Sequence, residues 1–270
     1  MTYELLPKSQ SHIHDEYPQQ SATSLPELPP LEFLGEAIFA AGSFWQLDSA
    51  FCRSNGEVRT ATGYFGGNLK KPTYREVVQG WTGHTEAVRV TYDKRETSYK
   101  ALCRVFWASH DPTEKEYLEF GIRTHHKSAI FYSNEEEKKQ AQQSKVEQQM
   151  KLDRRIVTKI THLSSSDSEF YLAESCHQKY DLQKDHMRLC ESLSLRSAQQ
   201  FADSYLACKL NGIISGAKKI SIADDLKDFL RTYQLSQETK LVLETMILDL
   251  RVEHALQLTN IQEIPKDKKF

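Results

Sequence analysis

Glu36-Ala-Ile-Phe-Ala-Ala-Gly-Ser-Phe-Trp-Gln-Leu-Asp-Ser-Ala-Phe51 is the stretch whose reading decides the fold. Its first six residues are a short apolar run ending at Gly42, the pattern of a buried strand. Phe44, Leu47 and Phe51 then recur at helical spacing, and Asn55-Gly56 supplies the stop. Downstream, residues 57–64 read as extended, and Gly66-Gly67 marks a turn. Val88, Val90 and Tyr92 alternate with Ala87, Arg89 and Thr91, the period of a half-buried strand. Tyr99, Leu102, Cys103 and Phe106 fall at i, i+3, i+4 and i+7, an amphipathic helix closed by Asp111-Pro112. Ala129-Ile-Phe-Tyr132 is another strand. Ser133-Asn-Glu-Glu136 has the form of a capping box, opening a polar surface helix that runs to about Met150. Residues 156–163 are extended again. The order strand, helix, strand, short helix, strand, helix, strand, helix, strand predicts helices packed on a sheet, in an α+β or α/β domain of residues 34–188.

Either side of this domain the composition changes. Residues 1–33 hold five of the eight prolines (Pro7, Pro18, Pro26, Pro29, Pro30) among Ser, Gln and His, and read as a disordered tail. His12 and His14 lie there, but two ligands do not make a metal site. Residues 189–270 read as a helical extension. One helix opens at Ser221-x-x-Asp224, with Ile222, Leu226, Phe229, Leu230 and Tyr233 on its apolar face. A second starts near Ser236 and is apolar on several sides (Leu241, Val242, Met246, Ile247, Leu250), which predicts burial against more than one neighbour. The extension is expected to pack on the main domain.

The composition excludes several classes of function. The 270 residues carry a net charge of −2, too balanced for a protein that coats nucleic acid. There is no apolar run of about 18 residues to span a membrane, and no secretory signal pattern. Five cysteines (Cys52, Cys103, Cys176, Cys190, Cys208), an odd number without two-residue spacing, read as reduced thiols rather than a disulfide frame or zinc site. Cytoplasmic localisation is the expectation. No metal, nucleotide or flavin motif is present.

Ala40-Ala-Gly-Ser-Phe-Trp-Gln46 sits where the first strand becomes the first helix. It resembles the Gly-Cys-Phe-Trp signature of the type A peptide methionine sulfoxide reductases. Thr62-Gly-Tyr-Phe-Gly-Gly67, Pro72-Thr-Tyr-Arg-Glu-Val77, Thr82-Gly-His-Thr-Glu-Ala-Val-Arg-Val90, Ser109-His-Asp-Pro-Thr113 and Ala173-Glu-Ser-Cys-His-Gln178 follow in the family's order at similar spacing. The resemblance covers residues 36 to about 184. It implies an α+β fold with a ferredoxin-like split βαβ core and a C-terminal helical extension. In the family reaction, a cysteine thiolate attacks the sulfur of methionine S-sulfoxide in a peptide. Methionine leaves, and the resulting sulfenic acid is resolved through a disulfide that thioredoxin reduces, without a prosthetic cofactor. The resemblance assigns Phe44, Trp45 and Tyr74 to the substrate cup. It assigns Glu86 to the acid that holds the sulfoxide oxygen and gives a proton.

The departures are as informative as the matches. Ser43 stands at the nucleophilic cysteine position. Gly121 stands where the family has an aspartate, His126 where it has a second pocket tyrosine, and Gln46 where it has a glycine. A thiol can accept oxygen as sulfenic acid, whereas a serine oxygen would have to become a peroxide. Cys52 lies nine residues beyond Ser43, ~13 Å along a helix axis, and cannot stand in for it. Cys176, in the last motif, is a candidate relocated thiol but reads better as partly buried and inert, and Cys190 and Cys208 read as bystanders. Three functions follow: a pseudoenzyme that binds methionine sulfoxide in peptides or proteins through Phe44, Trp45, Tyr74, Glu86 and His126; a reductase that still works through another thiol with thioredoxin; or an interaction scaffold using the helical extension.

Overall fold

The computed structural model describes residues 29–54, 57–114, 125–163, 169–216 and 219–262. Most of the N-terminal tail, with His12 and His14, and Gly121 lie outside these residues.

The core follows the predicted order. Strand β1 (Leu34–Ala41) leads into helix α1 (Phe44–Arg53), then β2 (Glu57–Phe65), the short α2 (Tyr74–Val78) and β3 (Thr85–Asp93). Helix α3 (Tyr99–Ala108), β4 (Ser128–Tyr132), α4 (Glu135–Gln149) and β5 (Lys159–His162) follow. A two-residue strand β6 (Tyr171–Leu172), which the sequence did not announce, closes the far edge. The sheet order is β5-β4-β1-β3-β2-β6. Its inner four strands run 4-1-3-2, each antiparallel to its neighbour, with α1 and α3 as the crossovers. This is the expected α+β, ferredoxin-like split βαβ arrangement, with β5 added parallel to β4.

The continuous apolar run of β1 follows from its central place. Ala37, Phe39 and Ala41 face the main core with Phe44, Leu47 and Phe51 of α1 and Tyr99, Leu102, Cys103 and Phe106 of α3. Ile38 and Ala40 face a smaller cluster with Phe65, Ala87, Ala129 and Phe131. A strand buried on both faces has no alternating polar positions. Gly42, at φ +74°, makes the turn into α1 in a conformation that disfavours a side chain.

Two expectations about helix ends shift. Asn134, not Ser133, caps α4 through the Glu137 amide, while Ser133 bonds the Glu137 carboxylate. The same pairing of groups is used one residue later. The helix expected from Ser221 begins by Lys219.

Beyond the sheet come α5 (Tyr180–Asp185), α6 (Met187–Ser192), α7 (Ala198–Asp203), α8 (Tyr205–Ile214), α9 (Lys219–Thr232) and α10 (Gln237–Gln262). They bury a second cluster that includes Leu182, Leu189, Phe201, Leu210, Leu226 and Leu243. Helix α10 departs from the expectation of burial on several sides. Leu243 is buried, whereas Leu241, Leu248 and Val252 are exposed, because α9 and α6 cover one side of it.

Helix α8 lies against α1 at a glycine. A Cβ on Gly212 would come within 2.5 Å of the Cys52 carbonyl oxygen, so only hydrogen fits there. Polar groups reinforce the crossing. Lys179, fully buried, donates from Nζ to Thr60 O at 2.7 Å and pairs with Asp48 Oδ1 at 3.3 Å. Asn211 Nδ2 donates to Asp48 Oδ2 at 3.2 Å, and its Oδ1 accepts from the Leu182 amide at 3.0 Å. Burial alone would push the Lys179 ammonium down, but Asp48 beside it outweighs that and holds it above its ordinary value.

Candidate functional site

The site forms at the N-terminus of α1, where Gly42 delivers the chain from the sheet. Ser43 is the half-buried N-cap residue, yet among the described residues no side-chain hydrogen bond from Ser43 closes the helix. The carboxylate of Glu86 does so instead. The Phe44 amide donates to Glu86 Oε2 at 3.0 Å. Glu86 is the second residue of β3 and only 2% exposed, so the positive end of the helix is answered by a buried acid.

Glu86 Oε1 points at two imidazoles. His126 Nε2 lies 3.2 Å away and His125 Nε2 4.0 Å away. The backbone fixes this pair: the Glu86 amide and the Thr85 hydroxyl both donate to the His125 carbonyl, each at 2.8 Å. Sequence reasoning singled out His126 but passed over His125. The side chain of residue 125 becomes visible as a site group only when β3 and the start of β4 are brought together.

Phe44, Trp45 and Tyr74 come together as expected, with ring centroids 5.8–6.3 Å apart. Phe44 is fully buried and backs the other two, which are half-buried. His177 packs against all three, 4.3 Å from Tyr74 and 5.7 Å from each of the others. Tyr180 stacks on Trp45 at 4.3 Å. Neither was predicted singly; His177 lies in the Ala173–Gln178 motif, which was the available signal. Beneath the rings, Tyr64 donates its hydroxyl to Glu174 Oε2 at 2.6 Å, and the Tyr74 amide donates to Glu174 Oε1 at 2.8 Å.

The electrostatics follow from burial beside carboxylates. Burial, then Glu86 and Glu174, push the Tyr74 phenol up, so it stays a donor. Burial pushes His177 down despite both acids, which favours the neutral ring. Glu174 is held below the usual carboxylate range, because the Tyr64 and Tyr74 hydrogen bonds outweigh its burial.

The thiols correct the sequence reading in one respect. Cys176 is exposed, not partly buried, and adjoins His177 in a single turn of 3₁₀ helix. Cys208 Sγ lies 3.0 Å from Cys52 Sγ, buried between α8 and α1. Burial and the Cys208 hydrogen bond push the Cys52 thiol well above its ordinary value. It is therefore protonated and shut off from the cup.

Residues 35–210 match the family described as peptide methionine sulfoxide reductase. The chain belongs to that family. Relatives include the peptide methionine sulfoxide reductase MsrA of Methanosarcina acetivorans, 46% identical over 153 residues, which are 56% of this chain and 79% of the relative. Peptide methionine sulfoxide reductase A2-1 of Oryza sativa subsp. japonica is 42% identical over 149 residues, 55% of this chain and 78% of the relative. Among solved structures, methionine sulfoxide reductase A of Corynebacterium diphtheriae aligns with a TM-score of 0.50 at 27% identity, covering 62% of this chain and 86% of that one. Reduced Mxr1 of Saccharomyces cerevisiae aligns at 0.51 and 26% identity, covering 58% and 88%.

The span matched to the reductase family contains Ser43, Phe44, Trp45, Tyr74, Glu86 and His126, and also reaches Lys179 and Cys208 in the elements that follow the sheet. Among the described residues no helix is long and apolar enough to cross a membrane.

Proposed function

We propose that this member of the peptide methionine sulfoxide reductase family binds methionine sulfoxide in peptides or proteins but does not reduce it. The observation that carries this reading is the assembly of an aromatic cup and a buried acid at the helix start whose N-cap is Ser43. Trp45 and Tyr74, backed by Phe44 and flanked by His177, suit the methyl group and the apolar arm of the side chain. The Tyr74 hydroxyl and the Glu86–His126 pair suit the sulfoxide oxygen. Reduction would transfer that oxygen to a nucleophile, breaking the S–O bond and forming a new bond to oxygen. Sulfur takes it as sulfenic acid. The Ser43 oxygen would instead have to form an O–O bond, which makes a peroxide of a hydroxyl.

Calorimetric titration with a methionine S-sulfoxide peptide tests the reading. Saturable heat, absent with the reduced peptide and weakened at least ~10-fold by Trp45→Ala, is expected. No heat with the S-sulfoxide would overturn it and leave the scaffold function of the helical extension.

One observation favours a second reading. The exposed Cys176 adjoins His177, whose ring lines the cup, so a thiol reaches the rim of the site. In that reading, Cys176 accepts the oxygen and a dithiol such as thioredoxin returns it to the thiol. Peptide reduction abolished by Cys176→Ser would establish it.

A further inference from the structure

Glu86, His125 and His126 each offer a ligating atom, and these atoms all lie within 4.8 Å of one another. We infer that they form a binding site for a divalent first-row transition ion, a two-histidine, one-carboxylate set with positions left open. The inference stands on these three side chains and does not rest on the sulfoxide reading.

The geometry suits a metal in four respects. Two ligands about 2.1 Å from one ion sit roughly 3.0–3.4 Å apart in octahedral or tetrahedral coordination. Glu86 Oε1 and His126 Nε2, at 3.2 Å, are already at that spacing, and His125 Nε2, at 4.0 Å from the same oxygen, has under 1 Å to close. Second, the carboxylate is oriented before any ion arrives, because Oε2 is held by the Phe44 amide and Oε1 faces the imidazoles, with His126 Nε2 at hydrogen-bond distance. Outer hydrogen bonds of this kind fix the direction of a metal ligand. Third, the His125 backbone is tied to β3 by two hydrogen bonds to its carbonyl, so both imidazoles start from a rigid edge. Fourth, Glu86 and His125 are buried while the His126 ring is 28% exposed, which leaves a path from solvent.

The charge and donor chemistry are consistent with this class. One carboxylate and two neutral imidazoles neutralise half of a divalent charge, and the nitrogen–oxygen set favours zinc, iron(II) or cobalt(II) over calcium or magnesium. The ammonium of Lys127, the residue after His126, is engaged by the Gly83 carbonyl at 2.9 Å. The positions left open would take water or another oxygen donor.

The test is a cobalt(II) titration of the full chain carrying Cys176→Ser, which removes the exposed thiol as a competing ligand. The expected result is one saturable equivalent with visible d–d absorption and no thiolate charge-transfer band. His126→Gln and Glu86→Gln should each weaken binding by at least ~100-fold, with the far-ultraviolet circular dichroism unchanged. The half-exposed His126 supplies the informative variant if Glu86→Gln fails to fold. Absence of saturation below millimolar cobalt would overturn the inference. So would binding that survives both substitutions, which would place the ion elsewhere, such as at His12 and His14.

Discussion

The main-chain N–H of Phe44 donates to Glu86 Oε2 at 3.0 Å, so a carboxylate from the third strand caps the helix that begins at Ser43. This contact joins the two halves of the site. It places the acid, and with it His125 and His126, at the start of the helix whose N-cap residue is Ser43. It also uses the first free amide of the helix, which would otherwise stabilise a thiolate.

Ser43→Cys is therefore expected to restore little. The new thiol would share the site with His126, and Gly121 would remain, where the resemblance expects a tyrosine and an aspartate. Dithiothreitol-driven reduction of a sulfoxide peptide should stay at least ~100-fold below that of a cysteine-bearing relative, the scale of one lost acid–base group. A rate equal to the relative's would show that the serine is the only obstacle.

Lys179→Met should be strongly destabilising, because it leaves Asp48 buried without its cation. The expected cost is about 3–5 kcal/mol by urea unfolding. Adding Asp48→Leu should recover part of the loss. Equal stability of wild type and Lys179→Met would contradict the burial of the pair.

Gly212→Ala tests the approach of α8 to α1. Its methyl group would meet the Cys52 carbonyl oxygen and carbon at 2.5 and 2.6 Å, and backbone cannot yield as a side chain can. A loss of about 1–3 kcal/mol is expected. Thermal unfolding should show it, and an unchanged midpoint would mean that the helices do not touch there.

Acid should destabilise the fold through His110. Its Nδ1 donates to the Phe106 carbonyl and its Nε2 pairs with the Ser128 hydroxyl at 2.8 Å. Burial pushes it down to about 4 from 6.5. The unfolded chain takes up the proton first, so the contribution is intact above pH 6.5 and is lost as pH falls towards 4. The loss is up to about 3 kcal/mol. His110→Gln should flatten the dependence of stability on pH across that window; an unaltered slope would assign it to other groups.

The legible parts of the fold are those where one face or one run decides. The apolar run of β1, the alternation of β3 and the i, i+3, i+4, i+7 pattern of α3 all report burial directly, and each element lies where the sequence placed it. What was missed depends on tertiary partners. Tyr171-Leu172 becomes a strand only because β2 offers a free edge. The cap of α4 moved by one residue because Ser133 and Asn134 can both satisfy a helix start. At the site, Ser43, Phe44, Trp45, Tyr74, Glu86 and His126 were found through motifs. His125 was not, since its partner Glu86 lies 39 residues away in the chain.

The most direct test incubates the reduced full chain with a methionine S-sulfoxide peptide and dithiothreitol, and counts methionine formed and thiols consumed. The account predicts no methionine above the uncatalysed background and all five thiols retained. Methionine produced over repeated turnovers, with a sulfenic acid trapped on any cysteine of the chain, would contradict it.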